Sequence, residues 1–150
     1  MSTTQVQDGL PENQRWPALI AVGIAVAMSV LVGSIANVAL PTIAADLRVT
    51  PAESIWVVNA YQLAVTVSLL PFSSLGDVYG HRRIYAWGIV LFTLASLVCA
   101  IAPNMPVLVA GRVVQGLGGA GIMSVNGALI RFIFPRAQLG RGVGYNVLFV

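Results

Sequence analysis

From Ser54 to Gly76, and again from Ile84 to Gly111, the chain carries no Asp, Glu, Lys or Arg. Two more charge-free runs cover 16–45 and 113–130. A helix rises 1.5 Å per residue, so crossing a hydrocarbon core about 30 Å thick takes about 20 mostly apolar residues. Three runs reach that length outright. The fourth does so if Arg112 lies inside the membrane, which extends it from about Met105 to Ile130. Lipid offers no partner for backbone N–H and C=O groups, so runs of this kind must be helical. An all-α membrane protein with four crossings is the expectation.

Composition closes the soluble alternative. Charged residues make up 9% of the chain and apolar ones 57%, whereas about a quarter of a soluble domain is charged. The formal net charge of +3 does not point to nucleic acid, because its distribution is what carries information. Arg15, Arg82, Arg83, Arg131, Arg136 and Arg141 fall in the N-terminal tail or the even-numbered loops, and Arg48 stands alone in the odd-numbered ones. The positive-inside rule then places the N-terminus and the loops around Asp77–Arg83 and Arg131–Arg141 in the cytoplasm. That is the topology of a plasma-membrane protein, in a bacterium the inner membrane.

Taken in order, residues 1–15 are expected to form a cytoplasmic tail, polar and either disordered or lying along the membrane surface. Residues 16–150 form the membrane bundle, with helices at about 16–45, 52–76, 84–102 and 105–134, and a fifth from 140 to 150 onward. Pro41 leaves the Asn37 carbonyl without its i+4 donor and predicts a bend in the first helix. Thr50-Pro-Ala-Glu53 reads as a capping box with proline at the first helical position. The fifth segment is still apolar at Val150, so the expectation is an incomplete bundle that needs further helices to act. Cys99 is the only cysteine, which excludes an intrachain disulfide and a cysteine metal cluster. No cofactor or metal is expected.

Polar side chains inside the apolar runs are the candidate functional residues. A charge in lipid costs at least a few kcal/mol and normally faces protein or water. Arg112 shares one helical face with Gln115, Gly116, Gly119, Met123 and Asn126. Arg112, Gln115 and Asn126 are the candidates for transport and coupling, against the alternative that Arg112 snorkels to the interface. Ser34 with Asn37, and Asn59 with Gln62, each three residues apart, either line a polar cavity or act as interhelical glue. Gly116, Gly119 and Gly121 permit close helix approach. Gly116-Leu-Gly-Gly-Ala-Gly121 also matches G-x-G-x-x-G, but no strand precedes it and no acid follows at the distance that a dinucleotide site requires.

Asp77, Gly80, Arg82 and Arg83 compose a short charged hinge. Asp77 has three open roles: capping a helix end, accepting from Arg82 or Arg83, or facing another helix's N-terminus. The two arginines also suit anionic head groups. His81 is expected at the solvated tip of this loop.

With those residues in place, the chain resembles the major facilitator superfamily, in its fourteen-helix drug:proton antiporter branch. Leu75-Gly-Asp77, Gly80 and Arg82-Arg83 resemble the loop motif between helices 2 and 3. Arg112-Val-Val-Gln-Gly116, continuing to Gly121, resembles the helix-4 motif whose arginine is linked to proton coupling. Asn37-Val-Ala-Leu-Pro-Thr-Ile43, Asp46-Leu47, Trp56 and Tyr61 are similar to the branch's first two helices. Ser73 and Val78 stand where the loop motif has glycine and arginine, and Val32 where the branch often has an aspartate. The resemblance implies a partial N-terminal bundle of a proton-coupled transporter, with protons, a hydrophobic or amphipathic solute such as a drug, and the lipid bilayer as partners. Asp77 and its loop would gate the transport cycle. Import or facilitated movement of an organic solute is the alternative, because the helices hold no carboxylate. A small non-transporting scaffold is the expectation if the chain ends naturally near 150.

Overall fold

A computed structural model of the chain describes residues 9–148. Among them six α-helices follow in order: α1 Glu12–Asp46, α2 Pro51–Ser54, α3 Trp56–Tyr79, α4 His81–Ala100, α5 Met105–Ile133 and α6 Leu139–Val147. A short 3-10 turn, Arg136–Gln138, leads into α6. Four segments are long and apolar enough to cross a membrane: α1, α2 with α3 (Pro51–Tyr79), α4 and α5. The result is an all-α bundle of four crossings and part of a fifth, the architecture that the resemblance implied.

Helix ends follow local chemistry. Thr50 and Glu53 close the capping box: the Glu53 carboxylate accepts from the Thr50 amide at 2.8 Å, and the Thr50 hydroxyl accepts from the Glu53 amide at 3.3 Å. Asn104 caps α5 by accepting from the Val107 amide at 3.1 Å, with Pro106 in the first turn where its missing N–H costs nothing. The first helix starts at Glu12, four residues before Trp16, so part of the expected tail is helical. Pro17 and Pro41 both lie inside it without ending it.

The expected loop from Asp77 to Arg83 is not a loop. Helix α3 runs on through Tyr79 and α4 begins at His81, leaving Gly80 as the only residue between them. Gly80 has φ +94° and ψ 127°, a conformation that side chains other than glycine's avoid. One residue thus reverses the chain, and its helical neighbours decide who meets whom. Asp77 and His81 stand four apart, with the His81 Nε2 3.2 Å from the Asp77 carboxylate. Arg82 and Arg83, which one of the three open roles paired with Asp77, are exposed instead. His81 is not a solvated tip: its side chain is 21% exposed and its ring lies 6.0 Å from that of Phe132.

Helix α5 is the centre of the bundle, packed mainly on α3 and α4 and more lightly on α1. Its buried face includes Gly116, Gly118, Gly119 and Gly121. A Cβ added at Gly118 would lie 2.5 Å from the Phe92 amide nitrogen of α4. One at Gly116 would lie 2.7 Å from the Tyr61 carbonyl of α3. Two apolar clusters fill the remaining space. Leu19, Val22, Ile130, Ile133 and Phe134 form one near the chain's N-terminal end, and Val26, Tyr61, Val65, Phe92 and Ile122 form the other at mid-bundle.

Candidate functional site

Arg112 lies at the meeting point of α3, α4 and α5 and is only 4% exposed. It is held from three directions. Its Nε donates to the Val57 carbonyl of α3 at 2.9 Å, and its Nη1 donates to the Gln115 side-chain oxygen at 2.6 Å. The guanidinium carbon sits 4.5 Å from the centre of the Tyr61 ring, close enough for cation–π attraction.

The network extends outward from there. Gln115 Nε2 donates to the Ser96 hydroxyl at 2.7 Å, and that hydroxyl donates to the Phe92 carbonyl one turn earlier in α4. The Tyr61 hydroxyl donates to the Ser29 carbonyl of α1 at 3.0 Å. Four helices therefore share one chain of polar contacts, anchored on neutral acceptors. Arg112 Nη2 is buried with no acceptor among the described residues. Arg112, Gln115 and Cys99 face a cavity of about 200 Å³ whose other walls include Val32, Ala36, Val57 and Leu108.

The chemistry available here is narrow. A guanidinium stays protonated and donates without accepting, so it is a poor proton carrier. Held between fixed neutral acceptors, with one nitrogen unmet, it is suited to stabilising an anion brought close to it. The described acidic residues lie at or near helix ends, and Val32 lines the cavity.

The structure unites only some of the candidates. Arg112 and Gln115 are joined directly. Asn126 is fourteen residues further along α5, roughly 21 Å at 1.5 Å per residue. Its Oδ1 is buried without a partner and makes no contact with the Arg112 network. Ser34, Asn37, Asn59 and Gln62 are exposed and do not line this cavity. The Ser34 hydroxyl and the Asn37 amide turn back onto carbonyls of their own helix, those of Val30 and Gly33. Gly116 and Gly119 pack under Tyr61, and Gly121 against Gly88.

Ser96, Tyr61 and the Val57 carbonyl escaped the sequence reading as site members. Helical spacing relates residues on one helix, whereas these three are set by how α3 and α4 face α5. A small polar residue in an apolar crossing was the one signal for Ser96.

Comparison with known proteins converges on one family. Residues 22–150 match the Major Facilitator Superfamily. The chain is 58% identical over 143 residues to the uncharacterized transporter YebQ of Escherichia coli, covering 95% of this chain and 31% of that protein. It is 39% identical to the riboflavin transporter RibZ of Clostridioides difficile, covering 88% and 29% respectively. To the tetracenomycin C resistance and export protein of Streptomyces glaucescens it is 36% identical, covering 86% and 24%. The chain thus spans about a third or less of the length of these curated relatives. With nearly all of its membrane bundle inside the match, and four crossings arranged around a buried arginine, the chain belongs to the Major Facilitator Superfamily.

Proposed function

We propose that this chain is the N-terminal part of a proton-coupled secondary transporter, not an enzyme, that exports hydrophobic or amphipathic organic solutes across a bacterial inner membrane. The observation that carries the reading is the buried Arg112, with one nitrogen unmet and only neutral partners among the described residues. An isolated buried cation costs several kcal/mol. A carboxylate on a helix beyond this segment would offset that cost while ionised and release it when protonated. Arg112 and Gln115 would then couple proton binding to the solute path, with Asn126 further along the same helix.

The exposed Ser34, Asn37, Asn59 and Gln62 would line that path once the remaining helices close it. The gate is formed by Asp77, Gly80, Arg82 and Arg83, with the single-residue turn at Gly80 allowing α3 and α4 to rock together. The N-terminus and the α3–α4 junction would face the cytoplasm. Relatives named for multidrug resistance and for tetracenomycin C export support efflux. A second reading, uptake or facilitated passage of an organic solute, is favoured by Val32, which gives the cavity an apolar wall where a proton site would stand; a relative named as a riboflavin transporter fits it.

Solute flux into proteoliposomes across an imposed pH gradient tests the proposal. The wild type, Arg112→Gln and Arg112→Lys are compared at equal amounts of folded protein. Glutamine should abolish the gradient-driven part, and lysine, which keeps the charge but loses the planar fork, should restore it only in part. Equal gradient-dependent flux in all three would overturn the coupling role. Flux that ignores the gradient in the wild type would favour the facilitator.

A further inference from the structure

A second, larger cavity lies away from Arg112. A groove of about 1330 Å³ opens at the arginine-rich end of the bundle, between the start of α1, the start of α4 and the end of α5. Its inner wall is apolar, built from Leu10, Ala18, Val22, Leu129, Ile133 and Leu139. One side is held by the backbone: the Leu10 amide donates to the Ile133 carbonyl at 3.1 Å, and Arg15 Nε donates to the Leu10 carbonyl at 2.7 Å. The Tyr85 hydroxyl at the back of the groove spends its proton on the Ala21 and Val22 carbonyls.

The rim has the opposite character. Arg82, Arg131 and Arg136 line it together with His81, and no Asp or Glu does. Arg82 and Arg131 are exposed, and neither side chain makes a hydrogen bond or ion pair among the described residues. Helix α4 begins here with no side-chain cap, so its first amides and the positive end of its dipole add to the cationic field. The end of the bundle also carries the Trp16 and Tyr145 rings, 5.1 Å apart, the residue types that settle at head-group depth.

We propose that this groove is a binding site for an anionic phospholipid, with the phosphate at Arg82 and Arg131 and an acyl chain along the Leu10–Val22–Ile133 wall. The charge complementarity selects the occupant. An apolar trough with a cationic rim matches an anionic lipid in both halves, its acyl chain on the Leu10–Val22–Ile133 wall and its phosphate at the arginines. A neutral or zwitterionic lipid would fill the trough but gain less at the rim. Arg83 shares the start of α4 but does not line the groove, which gives an internal control.

The test is native mass spectrometry of the intact protein, released from detergent with phosphatidylglycerol or phosphatidylcholine added at matched concentration. Near a membrane surface each Lys or Arg contributes about 1 kcal/mol toward an anionic lipid, so Arg82→Gln with Arg131→Gln should weaken phosphatidylglycerol retention about thirtyfold. Phosphatidylcholine retention should change little, and Arg83→Gln should behave as the wild type. Ala18→Trp, which fills the trough and leaves the arginines, should reduce retention of both lipids. Equal retention of the two lipids by the wild type would overturn the proposal. So would an equal loss on Arg83→Gln, which would mark a diffuse charge effect, or indifference to Ala18→Trp, which would mean that another part of the protein occupies the groove.

Discussion

Replacing Gly118 by alanine should unsettle the bundle more than the same change elsewhere on α5. An added Cβ would lie 2.5 Å from the Phe92 nitrogen, 2.8 Å from the Phe92 Cα and 2.9 Å from the Gly88 carbonyl oxygen. All three atoms are backbone, so no side chain can rotate aside and α4 must move away. Carbon contacts settle near 3.5–4.0 Å, so the helices would part by roughly 0.5–1 Å and forfeit a quarter to a half of the dispersion attraction at the atoms that separate. Overpacking of this kind costs about 1–3 kcal/mol, and the rigid obstacle argues for the upper part of that range. Against it stands a gain of about 1 kcal/mol from alanine's better helix propensity. Gly127, about two and a half turns along the same helix, has nothing within 4 Å of its added Cβ and keeps only the gain. Thermal unfolding of the purified protein in detergent should therefore place Gly118→Ala below the wild type and Gly127→Ala at or above it. If Gly118→Ala unfolds at the same temperature as Gly127→Ala, the close α4–α5 approach is not what holds these helices together.

Two other glycines separate different causes. At Gly111 the obstacle is a side-chain tip: an added Cβ would meet the Cys99 Sγ at 2.7 Å, and the next atoms only at 3.6 Å. Gly111→Ala should destabilise alone and much less beside Cys99→Ala, with a coupling of about 0.5–3 kcal/mol in the double-mutant cycle. At Gly80 there is open space and the obstacle is φ +94°, so Gly80→Ala should cost about 1–3 kcal/mol of unfolding free energy, whereas Gly140→Ala, equally open and at ordinary φ, should not.

The crossings were legible because they depend on composition: charge-free runs long enough for lipid have one structural solution. Capping at Thr50 and Asn104 was readable for a related reason, since each is a contact within four residues. The α3–α4 junction was not. Charge and glycine density mark a break, but they do not say that the break is one residue long. Once α3 runs through Tyr79 and the chain turns at Gly80 alone, the first residue of α4, His81, comes back to Asp77, and Arg82 and Arg83 stay exposed. The site was legible in the same uneven way. Arg112 and Gln115 are three apart on one helix, so their bond follows from the spacing. Asn126 shared the face by angle but not by depth, and an angular argument carries no information about distance along the axis. Ser96 and Tyr61 needed the register between helices, which depends on packing.

The glycines of α5 and the buried arginine are parts of one arrangement. Gly116 lets the α3 backbone at Tyr61 come within the reach of a single Cβ, and Gly119 gives the Tyr61 hydroxyl a place against α5. That seating sets the Tyr61 ring beside the guanidinium and aims its hydroxyl at α1, while the α4 side of the helix brings Ser96 to Gln115. Every contact so made stabilises the cation with a dipole or a π face, and none with a full opposite charge. Neutral partners of this kind reduce the cost of burying a charge without removing it, so the remaining field acts on whatever enters the adjacent cavity. Close packing therefore leaves Arg112 positioned but not neutralised, and on our reading that is the property a coupling residue needs. A carboxylate placed permanently beside it would stabilise the bundle more and leave the charge with nothing to respond to.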